Sequence, residues 1–153
     1  MKETSQHSRS CKCCDPRAMA IALGRWVMGI LFLFFGIGKF TMGVGNFARG
    51  MAQPFEKTWL PPILLNAFGY VLPFCEVILG ALLILGLFRN ATLFATGLLL
   101  IALTFGQVLL GQAQVVFFNT TYTFLVAGLL FLADYDCWVL FPRRRIEKPQ
   151  ASA

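Results

Sequence analysis

Charge is scarce in this chain of 153 residues: Asp, Glu, Lys and Arg together make up 13% of it, about half the share usual in a soluble domain. Acidic residues number seven and histidine one, whereas 58% of positions are hydrophobic and the mean hydropathy is +0.70. That balance excludes an ordinary water-soluble domain, and with it soluble dehydrogenases, hydrolases and disulfide-rich secreted modules. A single histidine, His7, lies in the N-terminal tail, so paired axial ligands for an intramembrane haem are missing. No Ser-His-Asp set, phosphate loop or dinucleotide fingerprint occurs. The charges that exist are terminal: residues 1–17 and 143–153 hold most of them, and between these tails stand only Arg25, Lys39, Arg49, Glu56, Lys57, Glu76, Arg89, Asp134 and Asp136. The net charge of +6 is therefore no nucleic-acid footprint.

What the chain does have is long apolar runs. Crossing a bilayer takes about 20 residues in a helix, and four stretches suffice, at 18–40, 63–87, 92–110 and 115–133. The expected fold is all-α, an integral membrane bundle of four antiparallel transmembrane helices, with residues 1–17 and 143–153 as basic tails around a membrane domain at 18–142. The brief turns at Gly86–Asn90 and Gly111–Gln114 make consecutive spans antiparallel neighbours. An even number of spans puts both tails on one side, and their Lys and Arg residues place that side in the cytoplasm of an inner membrane. The first apolar run is too long for a signal peptide and lacks a cleavage site, so it reads as a retained span.

One connection, Thr41–Pro62, is sizeable. Phe47, Met51 and Phe55 recur every four residues in it, with Arg49, Gln53 and Lys57 between, up to Trp59 and Pro61-Pro62. This is an amphipathic pattern, and it is expected to lie on or dip into the outer leaflet as a lid.

Within the spans, small and polar residues form stripes. Arg25, Gly29, Phe32, Gly36 and Lys39 share one face of the first; Asn66, Gly69, Pro73, Glu76 and Gly80 share one of the second; Gly97, Thr104, Gln107 and Gly111 do so more weakly in the third. Such stripes should face one another inside the bundle. Glu76 stands out, because a lone charge near mid-bilayer costs at least about 2.5–3.5 kcal/mol. Either a cation pairs with it or it takes up a proton. Arg25 is within reach by helix rise, whereas Lys39, placed near the outer surface, is expected to snorkel. An Arg25–Glu76 pair that fixes register and a site that handles protons or a ligand remain equal alternatives. Asp134 and Asp136 oppose the dipole at the end of the fourth span, which suggests Arg25, Arg89 or Arg143–Arg145 as neighbours; Asp136 reads as an interfacial charge in water.

Five cysteines complete the list: Cys11, Cys13, Cys14, Cys75 and Cys137. On the reducing side disulfides are not the default, and the C-x-C-C run lacks zinc spacing, so no metal is assigned. Juxtamembrane acylation and unmodified thiols stay open, and Cys75 reads as packing. The many aromatics could line a quinone pocket, but packing explains them more simply.

The run Arg25-Trp26-Val27-Met28-Gly29 through Gly36-Ile37-Gly38-Lys39-Phe40, and Gly69…Glu76…Gly80…Leu85-Gly86-Leu87-Phe88-Arg89 after it, resembles the DoxX family over roughly residues 20–135. The resemblance implies a small four-helix membrane protein of the group that contains the membrane subunit of thiosulfate:quinone oxidoreductase. Other relatives work with partner proteins, and a related methylamine-utilisation protein helps to mature a periplasmic enzyme. The resemblance carries over Arg25, Lys39 and Glu76 as site residues; together with the inward stripes this makes Arg25 and Glu76 the candidate catalytic groups and Arg25, Lys39, Glu76 and Gln107 the candidate quinone-binding set. Two functions are carried forward. The first is the membrane subunit of a quinone-linked redox system for thiosulfate, sulfur or oxidative stress, served by a soluble or periplasmic redox partner. The alternative is a non-catalytic assembly or scaffolding factor whose outer loop grips a partner protein. A homo-oligomer is left open, and a transporter is disfavoured because no broken half-helices are visible.

Overall fold

The computed structural model describes residues 15–56, 58–133 and 136. Five α-helices account for most of them: α1 Pro16–Thr41, α2 Val44–Ala52, α3 Pro62–Leu85, α4 Arg89–Leu109 and α5 Ala113–Phe131. All but α2 are long and apolar enough to span a membrane. The expected four-span all-α bundle is therefore observed, with ends shifted by a few residues. Asp134, Cys137, Lys57, His7, Arg143–Arg145 and the cysteines at 11, 13 and 14 lie outside the described residues.

Local chemistry explains the boundaries. Asp15 caps α1 by accepting a hydrogen bond from the Arg17 amide at 3.0 Å, with Pro16 pre-set for the first turn. Pro62 likewise opens α3, here without a capping side chain on Pro61. That helix ends where Gly86 adopts φ +68°, a conformation natural to glycine, and the Leu87 amide then returns to the Leu82 carbonyl at 3.1 Å. The turn into α4 also holds Phe88 at φ 45°, the one non-glycine residue with positive φ among those described.

The helices α1 and α3 are the tightest pair, antiparallel and joined by glycines. A Cβ placed on Gly80 would lie 2.6 Å from the Leu33 amide nitrogen and 2.8 Å from the Gly29 carbonyl oxygen, and one on Gly36 would meet Val77 and the Glu76 Cβ. These contacts set one register, in which Arg25 lies beside Gly86, Gly29 beside Gly80, and Gly36 beside Glu76. The second pair, α4 and α5, joins the first through α3 and through the tail-side part of α1. The apolar core fills that tail-side half and includes Ile21, Met28, Phe32, Leu83, Leu93, Leu100, Val126 and Leu129. Outward, Phe34, Phe74, Phe105, Phe124 and Phe131 are all more than half exposed, as lipid-facing side chains are.

The other half is built differently from expectation. In the α1–α3 register Thr41 falls well short of the start of α3, and Gly43 (φ +85°) breaks the helix there. After it α2 lies along the first turns of α3, with Ala48 against Gly69 and Met51 reaching the same glycine. The segment thus covers the bundle as a lid would, packed along α3. Its apolar stripe turns inward: Phe55, in a 3₁₀ turn at Gln53–Phe55, is buried against Gly106 of α4, while Phe47 and Met51 are half-buried. The physical reason is that α1 leaves the outer half of α3 uncovered, and the nearest apolar surface for the stripe is that helix. A broken helix, unseen in the sequence, is therefore present, though as a single break. The stripes were also only partly placed: Gly69, Pro73, Glu76 and Gly80 are buried, but Asn66 is exposed, and α4 buries Thr92, Leu93, Thr96 and Leu100 instead of its Gly97–Gly111 series.

Gly80→Val should disrupt the α1–α3 contact, because the added atoms meet backbone, and cost about 1–3 kcal/mol or more. Gly97→Ala, whose Cβ would sit 3.7 Å from Val126, should leave thermal unfolding in detergent unchanged or slightly raised. Equal melting points for the two variants would refute the close-packed register.

Candidate functional site

Among the described residues Arg25, Asp136, Lys39 and Glu76 are withdrawn into this bundle and form two ion pairs. On the tail side the Arg25 Nη1 donates to Asp136 Oδ2 at 2.7 Å, and both side chains are 2% exposed. The same turn is tied down twice more: Arg89 Nη1 donates to the Asp136 carbonyl at 3.0 Å, and the Arg25 guanidinium occupies the space that a Cβ on Gly86 would need. One buried cation thus gathers α1, the α3–α4 turn and the segment beyond α5. Burial of Arg25 leaves its long stem packed along the core while its head reaches the end of the bundle.

Further into the membrane Lys39 Nζ donates to Glu76 Oε2. Glu76 lies about 15 Å along α3 from Gly86, and Lys39 about 21 Å along α1 from Arg25, so the lysine reaches back one turn to meet the carboxylate. The Lys39 side chain is 17% exposed and that of Glu76 6%. The Phe47 ring, contributed by α2, covers the ammonium at 5.3 Å from its centroid, and Phe40 and Phe74 pack edge to face beside it at 4.9 Å. Lys39 also stands in the last turn of α1, where a cation is favoured by the helix dipole. A neutral, aromatic-walled ion pair is the result, sitting at the break between α1 and α2.

Three expectations need correction here. Arg25 does not pair with Glu76, because its partner Asp136 lies at its own level while Glu76 is some ten residues higher on α3. Lys39 does not snorkel outward, since its ammonium turns back along α1 to pair with Glu76 under the Phe47 ring. Asp136 is buried and not an interfacial charge in water, although Arg25 and Arg89 are indeed its neighbours. Gln107, grouped with these residues in the sequence reading, stands apart: it lies in the last turn of α4, lines the space around Phe55 and makes no side-chain bond to Glu76 or Arg25. Asp136, named only as a neighbour of the arginines, and Phe47 and Gly86 were not counted among the site residues. For Asp136 the signal was its position opposing a helix dipole; for Phe47 it was the four-residue spacing, read with the wrong partner. Cys75 is the one described cysteine and is half-buried, and no group of His, Cys, Asp and Glu among the described residues could hold a metal ion.

Chemically, each pair sets a cation against a carboxylate, and Arg89 joins the first of them at the Asp136 carbonyl. The charges neutralise one another across helices, and the arrangement serves to lock register at two depths.

Comparison with known proteins gives one finding. The model of the family described as methylamine utilisation protein MauE matches residues 17–116, which covers α1 to α4 and the start of α5. No curated protein and no solved structure matches. The family match overturns the DoxX resemblance and, with it, the reading as a quinone-linked subunit of a thiosulfate system. The residues that carried the resemblance have a packing explanation: Gly29, Gly36 and Gly80 allow two helices to touch, and Arg25, Lys39 and Glu76 are charges that a tight antiparallel pair must neutralise. A pattern of that kind answers to helix packing in lipid and does not single out one family.

Lys39→Met alone should destabilise the protein by about 3–5 kcal/mol, because it strands Glu76 in the interior. Adding Glu76→Met should restore most of the loss, since a pair of apolar side chains needs no neutralisation. Thermal unfolding of both variants in detergent reads the difference, and an undisturbed single variant would remove the pair from any structural role.

Proposed function

We propose that this chain, which belongs to the MauE family of methylamine utilisation proteins, is a non-catalytic membrane assembly factor for a partner protein of an amine-utilising system. The family match is the observation that carries the reading. The geometry supports it, because Lys39 and Glu76 are engaged with each other and the Arg25–Asp136 knot ties the chain to itself. The basic tails are cytoplasmic, and the α2 cap with its following turns faces the opposite compartment. In that orientation the cap, α2 with the turns that follow it, closes the loop side of the bundle against the first turns of α3, and Trp59 is 75% exposed at its edge. Contact with the partner belongs to the outward surface of this cap. Phe47, Met51 and Phe55 face the bundle instead and hold the cap in place.

A strain lacking the protein should grow poorly with methylamine as nitrogen or carbon source and accumulate little of the mature amine-oxidising enzyme. Trp59→Ala should lower the yield of that enzyme while leaving the melting temperature of the membrane protein unchanged, whereas Glu76→Gln should lower stability first. Normal enzyme levels in the deletion strain would refute the assembly role.

A further inference from the structure

Phe55 divides three spaces on the loop side of the molecule. On its inner side a chamber of about 230 Å³ opens between α3 and α4, walled by Leu64, Leu65, Phe68, Ala102, Leu103 and Phe105. Its lips, Leu64, Ala102 and Phe105, are exposed on the lipid-facing surface, so the chamber communicates with the hydrocarbon. Sharing Phe55, Leu60 and Leu65 with it, a second cavity of about 530 Å³ lies at the start of α3 and is lined by Arg49, Glu56, Thr58 and Asn66. An apolar chamber and a polar mouth thus adjoin, with the Phe55 ring as the wall between them.

The mouth carries two opposite charges that do not pair with each other. Arg49 uses Nε on the Gly45 carbonyl at 3.3 Å and Nη2 on Asn46 Oδ1 at 3.2 Å, which leaves Nη1 without a bond among the described residues. The Glu56 carboxylate has no ion pair or hydrogen bond among them either. A guanidinium nitrogen suits a phosphate, and a carboxylate suits an ammonium. We propose that this composite cavity binds a zwitterionic phospholipid with a primary ammonium head, its acyl chain in the chamber beneath Phe55, its phosphate at Arg49 and its ammonium at Glu56. An anionic phospholipid would fill the chamber equally well but would set its head against Glu56. The site involves neither ion pair of the bundle, and it holds whether or not the chain is an assembly factor.

The test is native mass spectrometry of the full chain in mild detergent, with phosphatidylethanolamine and phosphatidylglycerol added separately. Wild type should retain one phosphatidylethanolamine per chain and prefer it by up to about fivefold, the worth of one exposed ion pair. Ala102→Trp, which fills the chamber, should weaken retention of both lipids about tenfold, as loss of two buried methylenes does. Glu56→Gln, on the surface, should keep the chain bound and abolish the preference. Equal retention of both lipids by wild type, undiminished binding by Ala102→Trp, or an isoprenoid lipid in place of the phospholipid would each overturn the proposal.

Discussion

A charge in hydrocarbon must meet its opposite inside the protein, and the arrangement of this molecule follows from that constraint. Two cations and two carboxylates are withdrawn from water, and each pair joins segments distant along the chain. Because an uncompensated member would cost several kcal/mol, the pairs admit few alternative registers. The Arg25–Asp136 contact closes the tail-side end, and the Lys39–Glu76 contact stands one turn short of the point where α1 breaks. Between them the glycines of α1 and α3 bring the two backbones together. Sliding one helix by a turn would break both the glycine contacts and the ion pair.

The break at Gly43 has a structural consequence of its own. A straight continuation of α1 would have run on alongside the first turns of α3. Instead α2 takes over that track with a sequence that is partly polar, and so brings Phe47 over the ammonium of Lys39 and Phe55 between α3 and α4. The loop side is therefore less densely filled than the tail side, where the core cluster lies. Cavities collect around Phe55 for this reason, and the cap that would meet a partner is built on the same element.

An assembly role sits comfortably with such a design. Redox chemistry needs groups that are reachable by substrate or cofactor, whereas here the inward charges are matched across helices and walled by aromatic rings. On the proposed reading, the chemistry that the family description points to would belong to a partner, and this chain would contribute its four-span bundle and the cap built on α2.

Much of the platform was legible in the amino-acid sequence, and the reason is physical. Whether about 20 residues can cross a bilayer is a local property, so the number of spans, their approximate ends and the short turns at Gly86 and Gly111 were determined by the chain itself. The same holds for the burial of Arg25, Gly29, Gly36, Glu76 and Gly80, which periodicity assigns to one face. Family membership was not legible, since stripes of glycine and charge meet a packing need common to many membrane helices. Nor could local pattern say which charge meets which. Partners 37 and 111 residues apart in sequence are chosen by axial register and side-chain reach, and the inward turn of the Phe47–Phe55 stripe depends on where α1 stops beside α3. Those are relations between helices, and only the tertiary structure decided them.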